Sequence, residues 1–177
     1  ADILLLFGLV VLLVYIVMAS QFESLRSPLI IMLTLPFAFT GVFLALFLTG
    51  QTLNLISLIG SVMLVGIVVK NGIVLVDYTN LMRDRGLSLI QAVVVSGKSR
   101  LRPILMTTLT TALAMVPLAM GIGEGSEIWQ PMGISIIGGL MFSTMITLIL
   151  IPVVYTLFGA NRMRREKQRA LQMEEEI

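Results

Sequence analysis

Apolar runs of about twenty residues recur five times along the chain, and few architectures can accept that pattern. Each run can cross the hydrocarbon core of a bilayer as a helix, which satisfies its own backbone polar groups where no water is present. The runs lie near residues 2–20, 28–49, 54–78, 102–120 and 131–158. The third and fifth exceed the minimum length, so tilt or protrusion is expected. Charged residues make up only 12% of the chain, about half the share in an average soluble domain. The predicted fold class is an all-α membrane protein, a polytopic bundle of five transmembrane helices in contact with lipid.

Charge placement sets an expected orientation. Lys70 apart, the basic residues are Arg26, Arg83, Arg85, Lys98, Arg100, Arg102, Arg162, Arg164, Arg165, Lys167 and Arg169. They fall in or beside the first and third connections, or in the charged tail at 161–177. The second and fourth connections hold none, and the fourth carries Glu124 and Glu127. The positive-inside rule then places the N-terminus outside and the tail in the cytoplasm. Trp129 falls near an outer helix end, where aromatic anchors are common. The chain starts Ala1-Asp2 with no basic leader, which reads as a processed product or a piece of something longer.

The third connection has an order of its own. Gly86 reads as a helix stop, and Ser88-Leu89-Ile90-Gln91 matches a capping box. With Leu87, Ile90, Val93 and Val94 forming an apolar stripe, a short amphipathic helix at about 88–96 is predicted at the cytoplasmic interface.

Chemistry in such a chain must come from the few polar groups inside the spans. Cys and His are both absent, which excludes disulfides, thiolate metal sites and His-based triads. No phosphate-binding glycine loop, catalytic carboxylate pair or metal-ligand spacing is present. No enzyme, metal, cofactor or nucleic-acid role is therefore expected. Lys70 stands out because a lysine at mid-bilayer costs at least about 3 kcal/mol on insertion scales and usually serves ion or proton movement. Snorkelling to the headgroups is the plainer alternative. Six residues separate Lys70 from Asp77, about 9 Å of helix, which makes that escape difficult. The same distance puts Asp77 out of pairing range, so an acid for Lys70 must come from a segment outside this chain. Asn71 adds a polar group at the same depth, and helix packing would also explain it. Arg100, Thr107 and Thr111 share a helix face that could line a hydrated path opposite Lys70, although a threonine in a span often bonds only to its own backbone. The glycines, small residues and scattered methionines read as packing.

Three stretches carry a family resemblance. Gly66-Ile67-Val68-Val69-Lys70-Asn71-Gly72-Ile73-Val74-Leu75-Val76-Asp77 is similar to a lysine-bearing helix. Arg100-Leu101-Arg102-Pro103-Ile104-Leu105-Met106-Thr107-Thr108 is similar to the start of the helix that follows it. Ser20-Gln21-Phe22-Glu23-Ser24-Leu25-Arg26-Ser27-Pro28 is similar to a cytoplasmic turn. In this order they resemble the C-terminal transmembrane half of resistance–nodulation–division efflux transporters, hydrophobe/amphiphile branch. The resemblance implies the last five of twelve helices in a proton-driven exporter of the bacterial inner membrane. Lys70, Asn71, Arg100 and Thr107 would then belong to the proton relay, with Asp77 and Thr111 as secondary candidates. The energy source would be the proton-motive force.

The implied partners are an N-terminal half carrying intramembrane aspartates and periplasmic porter domains, two further copies in a homotrimer, a periplasmic adaptor and an outer-membrane channel. Gly72 stands where alanine is frequent among relatives. Two alternatives are a related membrane module in protein secretion and a non-transport scaffold or sensor bundle.

Overall fold

A computed structural model describes the backbone of residues 2–175 and the side chains of residues 2–160; the side chains of the charged tail lie outside the described residues. The described backbone is helical, with no strand. The helices are α1 (Asp2–Phe22), α2 (Arg26–Met32), α3 (Leu35–Thr49), α4 (Leu55–Asp84), α5 (Leu89–Ala119) and α6 (Gln130–Glu175), with a 3-10 turn at Ser126–Ile128 before α6. Taking α2 and α3 together as one crossing, five segments are long and apolar enough to span a membrane. The all-α membrane class is borne out.

Local sequence explains the helix ends. Asn54 caps α4 by accepting from the Ser57 amide at 2.8 Å, while the Ser57 hydroxyl accepts from the Asn54 amide at 3.0 Å. The end of α4 is a glycine stop. Gly86 sits at φ 91° and donates to the Arg83 carbonyl, and Leu87 donates to the Met82 carbonyl. Pro36 opens α3 just after its start. A proline nitrogen cannot donate to the carbonyl one turn back, which accounts for the break at Leu33 and Thr34. The second span is therefore two helices where a single run was expected.

The expected interfacial helix also differs from what is found. The Ser88 capping box forms, with the Gln91 amide donating to the Ser88 hydroxyl at 3.4 Å. The helix it starts does not stop before the fourth span. It continues through Pro103 to Ala119, so residues 88–96 are the first turns of α5. Pro103 leaves the Ser99 carbonyl without its helical donor, and both residues are exposed. Lys, Arg and Leu are also good helix formers across this stretch.

α6 is the centre of the bundle, with α3, α4 and α5 packed along it. Lipid tails are as apolar as leucine, so helix association here depends on close fit and interhelical hydrogen bonds. Glycines supply the fit. A Cβ on Gly139 would meet Leu64 at 2.1 Å, and one on Gly138 would meet Ala45 at 2.1 Å. On the facing helix, a Cβ on Gly41 would meet Phe142 at 2.6 Å. α1 stands at the edge. Met18 is its one fully buried residue among those described, and Leu4 is 83% exposed. A helix apolar on all sides and so little covered presents its surface to lipid or to further protein.

Candidate functional site

Lys70 falls midway along the 30 residues of α4. The helix buries Leu64, Val65, Val68, Gly72, Leu75 and Val76. Ile67, Lys70, Asn71 and Val74 lie on another face and line a groove. α5 forms the opposite wall with Arg100, Pro103, Ile104, Thr107, Thr108 and Thr111. The open volume is about 340 Å3, room for several waters. Lys70 and Thr107 are exposed to this space, while Asn71, Arg100 and Thr111 are half-buried.

The structure thus brings Lys70, Asn71, Arg100, Thr107 and Thr111 to one groove. Asp77 is exposed and is not among the lining residues. Among the described residues, two cations share the groove and no carboxylate lines it. That arrangement is electrostatically incomplete in a low-dielectric setting, where an unpaired charge is costly.

Each threonine has a defined bond. Thr107 Oγ1 donates to the carbonyls of Pro103 (3.1 Å) and Ile104 (3.0 Å). Thr111 Oγ1 donates to the Thr107 carbonyl at 2.8 Å. These back-bonds occupy the protons and leave oxygen lone pairs able to accept from the groove. Thr108 differs, because its hydroxyl meets that of Thr144 on α6 at 3.2 Å and ties α5 to the bundle.

Arg100 is placed by a residue that sequence reasoning passed over. Its guanidinium carbon lies 4.5 Å from the centroid of the Tyr78 ring. Its Nε is buried and makes no hydrogen bond within the described structure. Tyr78 follows Ile67, Asn71 and Val74 at spacings of four, three and four, so the helical face itself carried the signal.

Residues 1–159 match the model of the AcrB/AcrD/AcrF family. The chain belongs to that family. Its relatives include the swarming motility protein SwrC of Bacillus subtilis (strain 168), 40% identical over 153 residues, which cover 86% of this chain and 14% of that protein. The multidrug resistance protein MdtC of Proteus mirabilis (strain HI4320) is 42% identical over 157 residues, covering 88% of this chain and 15% of the relative. Its counterpart from Edwardsiella ictaluri (strain 93-146) is 45% identical over 159 residues, covering 89% and 16%. Among solved structures, a crystal form of a heavy metal efflux pump superposes with a TM-score of 0.80 at 33% identity, covering 88% of this chain and 16% of the pump. The family's members are efflux transporters of the resistance–nodulation–division type, so the resemblance read from the sequence is borne out. The chain spans roughly one-seventh of the length of these relatives.

Proposed function

We propose that this chain supplies the lysine side of an intramembrane proton relay in a secondary active exporter. The observation that supports the reading is the groove: Lys70, Asn71, Arg100 and Thr107 line one space that, among the described residues, holds two cations and no acid. Carboxylates brought by another segment of the transporter would complete it. While ionised, they would hold the Lys70 ammonium. Once protonated, they would release it toward another acceptor, because leaving a charge unpaired in low dielectric is expensive. Asn71 would share the acid, and the free lone pairs of Thr107 would orient water beside it. The resulting shift of α4 against α5 would be passed to the substrate-handling domains.

By family analogy the cargo is a hydrophobic or amphiphilic compound, as the multidrug names of two relatives suggest, and the transporter is a homotrimer with adaptor and channel partners. The same analogy places it in a bacterial inner membrane, with α1 starting on the periplasmic side and the tail in the cytoplasm. The test is export by the whole transporter carrying Lys70→Met. Export should be lost at unchanged membrane abundance, and wild-type export should stop when an uncoupler collapses the proton gradient. Normal export by the variant would overturn the relay. Export indifferent to the uncoupler would overturn proton coupling.

A further inference from the structure

A second cavity lies at the end of the bundle where the loop from α1 to α2 meets α4 and α6. It is a half-open recess of about 130 Å3, and its polar lining is Ser24, Arg26, Ser27, Asn80, Arg83 and Tyr155. The loop is brought over α4 by a tight turn, with Glu23 in the left-handed region at φ 48°. The Ser24 hydroxyl accepts from the Arg26 amide at 3.3 Å, so its own proton remains free. Tyr155 donates its hydroxyl to Asn80 Oδ1. That bond fixes the amide and leaves the Asn80 NH2 group as a donor beside the cavity. The lining thus combines two guanidinium groups, an amide N–H2 and two serine hydroxyls, all able to donate. Among the described residues no carboxylate lines it; the neighbouring Glu23 and Asp84 are exposed.

We infer that this cavity binds a phosphate group, either the phosphodiester of an anionic lipid headgroup or free phosphate. Several donors beside two arginines, Arg26 exposed and Arg83 half-buried, match the three or four acceptor oxygens of a phosphate, and arginine forks suit that geometry. Basic pockets between helices at a membrane interface take lipid headgroups in the same way. The site is separate from the Lys70 groove, and the inference does not depend on the proton relay.

The test uses the whole transporter carrying this chain, purified in detergent and analysed by native mass spectrometry. Cardiolipin, phosphatidylglycerol and phosphatidylethanolamine are titrated separately, followed by inorganic phosphate. The wild type should retain an anionic lipid over phosphatidylethanolamine. The Arg26→Gln/Arg83→Gln pair should weaken that retention at least about tenfold, and Asn80→Ala should weaken it less. Arg83→Lys keeps the charge but loses the fork, and should fall between them. Arginine-dependent binding of inorganic phosphate without lipid preference would assign the site to a soluble phosphate. Equal retention of all lipids and of phosphate by the wild type and a correctly folded Asn80→Ala variant would overturn the inference.

Discussion

The Arg100 guanidinium lies 4.5 Å from the centroid of the Tyr78 ring, so an aromatic face on α4 positions a cation carried by α5. Such contacts are worth about 0.5–2 kcal/mol, more when water is excluded. The ring steadies the guanidinium without neutralising it, and the buried Nε has no hydrogen-bond partner within the described structure. In the whole transporter, Tyr78→Phe should export almost as well as wild type because it keeps the ring. Tyr78→Leu should lose roughly fivefold, about 1 kcal/mol, and its pH profile should move. A leucine variant with wild-type export and profile would show that the ring does not position Arg100.

Thr107 tests the lone-pair argument. Its proton is committed to the Pro103 and Ile104 carbonyls, leaving only acceptor capacity toward the groove. Thr107→Ala should lower export, less severely than Lys70→Met, and Thr107→Ser should restore most of it. Full activity of the alanine variant in a transport assay would remove Thr107 from the relay.

Glycine substitutions should separate by what they strike. A Cβ on Gly139 meets Leu64 at 2.1 Å, close to the α3 backbone at the Ala38 carbonyl oxygen (3.1 Å). A Cβ on Gly72 meets one branch methyl of the buried Ile31 at 2.9 Å, with its next contacts at 3.4 Å, so a smaller shift relieves it. Gly139→Ala should cost about 1–3 kcal/mol as an overpacked site, and Gly72→Ala well under that. Thermal unfolding of the purified protein reads the difference. An equal effect of the two would mean that α6 does not pack as closely as described.

The Thr108–Thr144 pair is an interhelical hydrogen bond between buried hydroxyls. A double-mutant cycle with Thr108→Val and Thr144→Val should give a coupling of about 0.6 kcal/mol, the usual scale for such bonds in a bilayer. A coupling indistinguishable from zero would make the contact incidental.

Much of this was readable because each signal was local. The Ser88 capping box and the Gly86 stop depend on a few adjacent residues, and both formed as expected. The pairing of Arg100, Thr107 and Thr111 follows from helical spacing, and the structure indeed sets them along one wall. Other features escaped for equally physical reasons. Pro36 breaks the second span because a missing donor is tolerated there only by ending one helix and starting another. Pro103 and Pro117 leave α5 unbroken, and Pro152 leaves α6 unbroken. A proline in the sequence does not tell these two outcomes apart.

What the sequence determined by itself is the set of spans and the polar residues each one carries, since apolar length and helical period are properties of single segments. Which faces meet was decided only by tertiary structure. α3 and α4 are apolar around much of their circumference, so no contrast between an oily and a wet side marks the inward face. In lipid that choice falls to steric fit. Gly41, Gly138 and Gly139 let α3 and α6 approach closely, and Leu64 of α4 closes over Gly139. This packing buries Val68 and Gly72 and leaves Lys70 exposed in the groove it shares with Arg100, which no carboxylate among the described residues lines.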